Sequence, residues 1–223
     1  MRMLVVFKKD ARLRHIGHLD LLRTMQRALR RSGLPIAYSL GFNPHILNTF
    51  ASALSVGASG QREIMDVKLY EQVDCEKFKA QLSDALPPDI VIKEVISIED
   101  THPAPMSLLC AAEYEAVFQG DNCSALSNAI EAVMAQSEIP SMRKTKKGMK
   151  ACDIKPMIYA LKAEGNKIAM LLSLTEQATC KPVMVLEALK EKAGLEMIPR
   201  YDLSRLGLYG KNDKGELVPL ETL

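Results

Sequence analysis

A chain of 223 residues is long for one domain and suits two of about 100 residues each. With 48% hydrophobic residues, 25% charged and no Trp, it has the composition of a globular protein. Its longest apolar runs, LVVF and IAMLLSL, fall far short of the roughly 20 residues a membrane span needs. The N-terminus carries no secretory apolar region, so a cytoplasmic location is expected and no membrane contact. The five cysteines are an odd number with no C-x-x-C pair, which argues against a zinc ribbon, a disulfide framework or an iron-sulfur cluster held by this chain. No metal or cofactor is expected.

The first half reads as a strand at 2–8, a helix at 17–32, an extended piece at 35–39, a strand at 63–70, a helix at 75–86 and a strand at 89–98. The order is βαββαβ. LPPD stops the second helix, because proline cannot continue it and the preceding residue is biased away from helix. After the linker THPAPMS the order recurs. A strand at 112–118 is followed by a helix at 123–136, an extended basic stretch, strands at 157–163 and 167–174 meeting at EGN, a helix at 182–193 and a strand beginning near Leu195. CDIKPMIYAL is ambiguous between a short helix capped by Asp153 and an edge strand. The expected fold class is therefore α+β, a tandem of ferredoxin-like (βαββαβ) domains with antiparallel sheets. The first domain would be 1–100 with a long loop at 40–62, the linker 101–110, and a second, less regular domain 111–223.

Charge is segregated along this order. Residues 1–31 carry nine Lys/Arg against two acids, 143–155 six against one, and 63–138 fifteen acids against four lysines. Two cationic patches on an acidic body are implied. In the first helix Leu19, Leu22, Met25, Gln26 and Leu29 fall near one stripe, while Arg23, Arg27, Arg30 and Arg31 follow i, i+4, i+7, i+8 on another. Acidic partners at helical spacing are nearly absent, and unpaired guanidinium forks suit phosphate. Arg14 extends this set. The second patch, Arg143, Lys144, Lys146, Lys147 and Lys150, fits a phosphate-contacting hairpin turning at Gly148. These ten residues are the candidate RNA contacts. DNA is not expected.

The loop YSLGFNPHILNTFASALSVGASG combines turn residues with Phe42, Phe50 and Leu54, which can anchor it on the sheet, and with His45. Its GASG matches neither a P-loop nor a dinucleotide fingerprint. His15 and His18 are three apart with no carboxylate or thiol cluster to complete a metal site.

HLDLLRTMQRALRRSGLPIAYSLGFNPH, TKKGMKACDIKP, RLGLY and GELVPLE together resemble the radical SAM-associated (radical SAM-linked) protein family of unknown function. By position, the family motif corresponds to His18 and Asp20, then to Gly41, Phe42, Asn43, Pro44 and His45. Members occur beside or fused to radical SAM proteins and near genes for a ribonuclease G-type enzyme and ribosomal proteins. The resemblance implies a radical SAM partner, a structured RNA partner and a role in rRNA, tRNA or ribosome-related modification. Gly17 stands where a Ser would cap the helix, Leu40 where a polar residue is usual, and HILNTF where Pro and Lys normally follow the histidine, which removes a candidate phosphate contact. No C-x-x-x-C-x-x-C occurs, so the radical SAM cluster itself is not in this chain.

The expected function is RNA binding or adaptation to a partner enzyme, with no catalysis by this chain. Two alternatives stay open: a metal-independent endoribonuclease with His18 or His45 as general base, and a module that binds protein only.

Overall fold

Met3 to Phe7 is an unbroken apolar run, and all five side chains are buried, as a strand covered on both faces requires. It forms the middle of β1 (Arg2–Lys9). The computed structural model describes residues 1–120, 123–145 and 148–223, with backbone only at 144 and 145. Two compact units are present: Met1–Leu109 with Arg205–Leu223, and Cys110–Ser204. The chain is mixed α/β, with mostly antiparallel strands and few helices.

In the first unit β1 is followed by α1 (His18–Arg31), β2 (Asn48–Phe50), β3 (Ala58–Lys68), α2 (Cys75–Ala85), β4 (Ile90–Ile98) and the single turn α3 (Pro105–Leu108). The strands lie in the order β4-β1-β3, with β2 alongside β3, and all three pairings are antiparallel. Leu21, Met25, Ala28 and Leu29 of α1 and Phe78 and Leu82 of α2 close on Met3, Val5 and Phe7, the alternate residues that share one face of β1. Asp74 caps α2 by accepting from the N–H groups of Glu76 and Lys77. The helix ends at Leu86, already extended before Pro87.

In the second unit β5 (Leu109–Phe118) is followed by α4 (Cys123–Met134), the hairpin β6 (Pro140–Thr145) and β7 (Gly148–Asp153), β8 (Ile158–Glu164), β9 (Lys167–Ser173) and α5 (Pro182–Lys192). The order β5-β9-β8 is antiparallel throughout, whereas β6 and β7 form a separate two-stranded sheet. β10 (Tyr201–Lys211) begins in this unit and continues into the first, where β11 (Leu217–Pro219) pairs with its end. Residues 205–223, which the sequence reading places in the second half, thus belong to the first unit.

Other differences from expectation have local causes. Leu19 is 63% exposed, because the buried stripe runs Leu21, Met25, Ala28, Leu29 and residue 19 lies half a turn away from it. The strand expected at 63 begins at Ala58, since Gly60 already pairs with Lys9 across a register shift. Much of the supposed loop 40–62 is therefore packed, with Ile46, Phe50, Ala51 and Leu54 buried. Phe42 anchors nothing and is fully exposed. The piece at 35–39 makes isolated bridges from Ile36 to Leu69 and from Tyr38 to Ile46 and not a continuous strand. CDIKPMIYAL resolves into a 3₁₀ turn at Lys155–Met157 followed by β8. The last long strand starts at Tyr201, after Gly194 in the left-handed region has ended α5.

Candidate nucleic-acid interface

The α1 residues turned away from the core are Leu19, Arg23, Arg27 and Arg30, all exposed. Spacing of four, four and three places them on one ridge. Gly17 caps the helix without a side-chain bond, Asp20 lies in the first turn, and Arg30 and Arg31 lie in the last, where the helix dipole favours cations. Arg23 Nη1 reaches Asp20 Oδ1 at 3.2 Å, an exposed pair of little energetic weight. Arg31 is exposed as well, but it donates to the carbonyl oxygen of Ala85 at 2.7 Å, at the last residue of α2. Arg27 and Arg30 engage no described residue, so their guanidinium groups face solvent with their donors open.

Arg14 belongs to the fold more than to the ridge. Its Nε meets His15 Nε2 at 3.3 Å, and its carbonyl accepts from the Gly57 N–H at 2.7 Å. In the second unit Arg143 Nη1 donates to the Gln177 carbonyl at 3.2 Å, and Lys150 is exposed on β7. The Lys144 side chain and the whole of Lys146 and Lys147 lie outside the described residues. Asp153 Oδ1 accepts from the Ile139 and Lys155 N–H groups, which fixes the base of this hairpin.

The two histidine candidates are held differently. His18 stands edge-on to Phe50, with ring centroids 5.5 Å apart, and so is packed against the core. His45 Nδ1 lies 2.8 Å from Ser39 Oγ, and that oxygen also accepts the His45 main-chain N–H at 3.0 Å. His45 borders a cleft of about 460 Å³ shared with Thr49, Asp66, Lys68, Asp100 and His102. His18 does not line it. The motif residues Gly41, Phe42, Asn43 and Pro44 are exposed at the loop tip. No group of three His, Cys, Asp or Glu able to hold a metal occurs among the described residues.

Residues 2–182 match a family described as an uncharacterized protein conserved in bacteria, DUF2344. The chain belongs to DUF2344. No curated protein matches it. The DUF2344 match spans both basic patches and the His45 loop, and it ends at the start of α5.

Sequence reasoning missed the polar groups buried in the first unit. Arg2 grips Asp66 through Nε at 3.1 Å and Nη2 at 2.5 Å, and its Nη1 also donates to the His102 carbonyl. The hydrogen bond to Asp66 is the main reason its pKa is raised. Arg205 grips Glu63 through Nε at 2.8 Å and Nη2 at 2.5 Å, and it reaches Ser52 Oγ and the Ala53 carbonyl. Lys9, 1% exposed, donates to the carbonyls of Ile16 and Ala58, and burial pushes its pKa down. The available signal was REIMDV, a strand with carboxylates where an apolar residue would otherwise sit; its guanidinium partners are 64 and 142 residues away.

Gly60 has its reason here too. A Cβ on it would stand 2.5 Å from Glu63 Cγ, so the close approach it permits is to its own strand's carboxylate.

Proposed function

We propose that this DUF2344 protein binds structured RNA and adapts it to a partner enzyme, without performing the chemistry itself. The observation that carries this reading is the α1 ridge, on which Arg27 and Arg30 hold open guanidinium forks in register with the weakly paired Arg23. Such forks match phosphate oxygens two at a time. Lys150 of the hairpin is a further exposed cation, a point charge and not a fork. The finer architecture belongs to the same proposal: the pairing of β4 with β1, β1 with β3 and β3 with β2 in the first unit supports a ferredoxin-like domain, and the order β5-β9-β8 in the second supports another with a hairpin inserted. The partner suggested by the sequence resemblance is a radical SAM enzyme, with rRNA or tRNA as the RNA.

The endoribonuclease alternative draws less support. His18 is packed on Phe50 and His45 is held by Ser39, and the two do not line a common cleft. Metal-independent cleavage of a broad cellular RNA pool in EDTA, lost in His45→Ala, would reinstate it.

The test is the salt dependence of RNA affinity. Each phosphate contact to a single strand contributes about −0.7 to the slope of log K against log salt, so replacing Arg23, Arg27 and Arg30 by Ala is expected to flatten it by about 2. Equal affinity and slope in the triple variant would remove α1 from the site. Native co-purification, with the bound RNA sequenced and bound proteins identified, tests the adaptor role.

A further inference from the structure

The tip of the His45 loop carries the most exposed large apolar side chains of the described chain. Relative exposure is 101% at Leu40 and 112% at Phe42, and Tyr38 beside them is half exposed. The tip is nonetheless pinned at its base. Ser39 N–H donates to the His45 carbonyl at 2.8 Å, His45 N–H donates to Ser39 Oγ at 3.0 Å, the same hydroxyl meets His45 Nδ1, and Tyr38 bridges to Ile46, which is 1% exposed. Gly41 supplies the left-handed turn, at φ +118°, that sets Leu40 and Phe42 on either side of it. A loop closed at its neck and apolar at its tip is ordered before it meets a partner, so little freedom is lost on docking.

The surroundings of the tip narrow the partner. Residues 32–61 contain no Asp, Glu, Lys or Arg, although a quarter of the chain is charged. Loss of charge around an aromatic and aliphatic centre marks the core of a protein–protein contact. RNA or an anionic membrane would instead require cations in the same segment.

The chain also holds a matching concavity. In the second unit a groove of about 380 Å³ is lined by the apolar Pro140, Met142, Ala151, Val183, Met184 and Ala188, and also by Ser141, Glu187 and Glu191. Cavities of about 150 Å³ accept a benzene ring, so this groove has room for a phenyl group and a second apolar chain. Met142 is 54% and Val183 44% exposed, and methionine adapts its shape to what it meets. Glu187 is paired with Lys190 at 2.6 Å, and the exposed Glu191 carboxylate is an acceptor. The loop offers exposed donors in the Asn43 amide and the His45 ring.

We infer that the Leu40–Phe42 tip of one copy docks into the Met142–Val183 groove of a second copy, and that two such contacts made reciprocally close a two-fold dimer. A two-fold pair uses the same two patches on both protomers and leaves no open end. This inference is independent of RNA binding by α1 and can stand or fall without it.

The test exploits the absence of Trp from the chain. Phe42→Trp introduces a single fluorophore at the tip. Sedimentation velocity and Trp emission are followed from about 1 µM to 1 mM, a range suited to contacts smaller than a standard interface. The expected result is a monomer–dimer transition with a blue shift of the emission over the same concentrations. Leu40→Ser in the tip and, separately, Val183→Lys at the exposed groove wall should each weaken dimerisation at least tenfold.

A monomer at 1 mM with unchanged emission overturns the inference, as does a dimer indifferent to both substitutions. Species that keep growing beyond the dimer overturn the reciprocal closure. A blue shift of the monomer on adding phosphatidylcholine–phosphatidylglycerol vesicles or a transfer RNA, without self-association, reassigns the tip to lipid or to RNA and also overturns it.

Discussion

Arginine appears in the first unit in two opposite situations. Arg2 and Arg205 lie in strands and spend their guanidinium groups on Asp66 and Glu63, with side-chain exposure of 11% and 2%. Arg23, Arg27 and Arg30 stand on a helix in water, and only Arg23 has a carboxylate near it. The same chemical group therefore holds the chain together in one place and is left open in the other. What separates them is whether a carboxylate has been buried with the guanidinium, since a buried charge must be paired.

The largest effect is expected where the pairing is tightest. Glu63→Ala leaves Arg205 buried without its carboxylate, and breaking such a pair costs about 3–5 kcal/mol. Arg205→Ala also releases Ser52 and Ala53 and should cost a comparable amount. Denaturant unfolding reads both. Replacing the two together by Glu63→Leu and Arg205→Met removes the uncompensated charge and should recover part of the loss. If the single variants are as stable as the wild-type chain, the distinction between the two arginine sets collapses.

A smaller loss is expected at Gly60. Gly60→Ala brings a Cβ to 2.5 Å from Glu63 Cγ and 2.6 Å from Glu63 Oε1, and this carboxylate cannot swing aside without loosening Arg205. Overpacking of this kind costs about 1–3 kcal/mol. In the Glu63→Ala background the same substitution should cost markedly less, because the clashing atoms are gone. Equal penalties in both backgrounds would mean that Gly60 serves its backbone conformation and not the buried pair.

The fold was legible where burial and period agree. Met3–Phe7 announces a central strand, and LPPD announces the end of a helix. Cys75 and Cys123 are the first helical residues of α2 and α4, as the periodicity expects. The registers of short β2 and of β3 were not legible, because Ala58, Ser59 and Gly60 have no strand-forming side chains, and Gly60 pairs with Lys9, which is distant in sequence. Of the candidate interface, spacing correctly separates Arg23, Arg27 and Arg30 from the core face. It could not show that Arg31 bends to Ala85 or that Arg14 is tied into the fold, since both depend on partners distant in sequence. Arg205 was invisible for the same reason.

The second unit extends the contrast from arginine to a thiol. Cys180 is 1% exposed, and burial first, with Cys152 nearby second, pushes its pKa up to about 12 from 9.0. The unfolded chain loses this proton near pH 9 while the native chain keeps it, so stability present below pH 9 is lost as pH rises from 9 towards 12. At pH 10 the loss is about 1 kcal/mol. Cys180→Ala should abolish that part of the pH dependence, whatever it costs in packing. Alkylation at pH 8.5 should likewise spare Cys180 and modify the partly exposed Cys75. Rapid labelling of Cys180 in the native chain would show that its burial is not maintained.

The smallest effect belongs to the open arginines, and it is the one that decides what they are for. Arg27 and Arg30 are exposed and make no hydrogen bond or ion pair with a described residue, so Arg27→Ala and Arg30→Ala remove no such bond, and each should leave stability within about 0.5 kcal/mol. Alanine's higher helix propensity offsets any loss of stem packing. Arg23→Ala also breaks the exposed contact to Asp20, which an i,i+3 pair makes worth only about 0.2–0.5 kcal/mol. Midpoints of denaturant unfolding for the three variants are the measurement. A loss above 1 kcal/mol at Arg27 or Arg30 would place that residue with Arg205 among the structural arginines and take it off the ridge. Unchanged stability alongside weakened RNA affinity is the pattern of a side chain whose partner lies outside the protein, because the folded chain then gains nothing from the charge that binding uses.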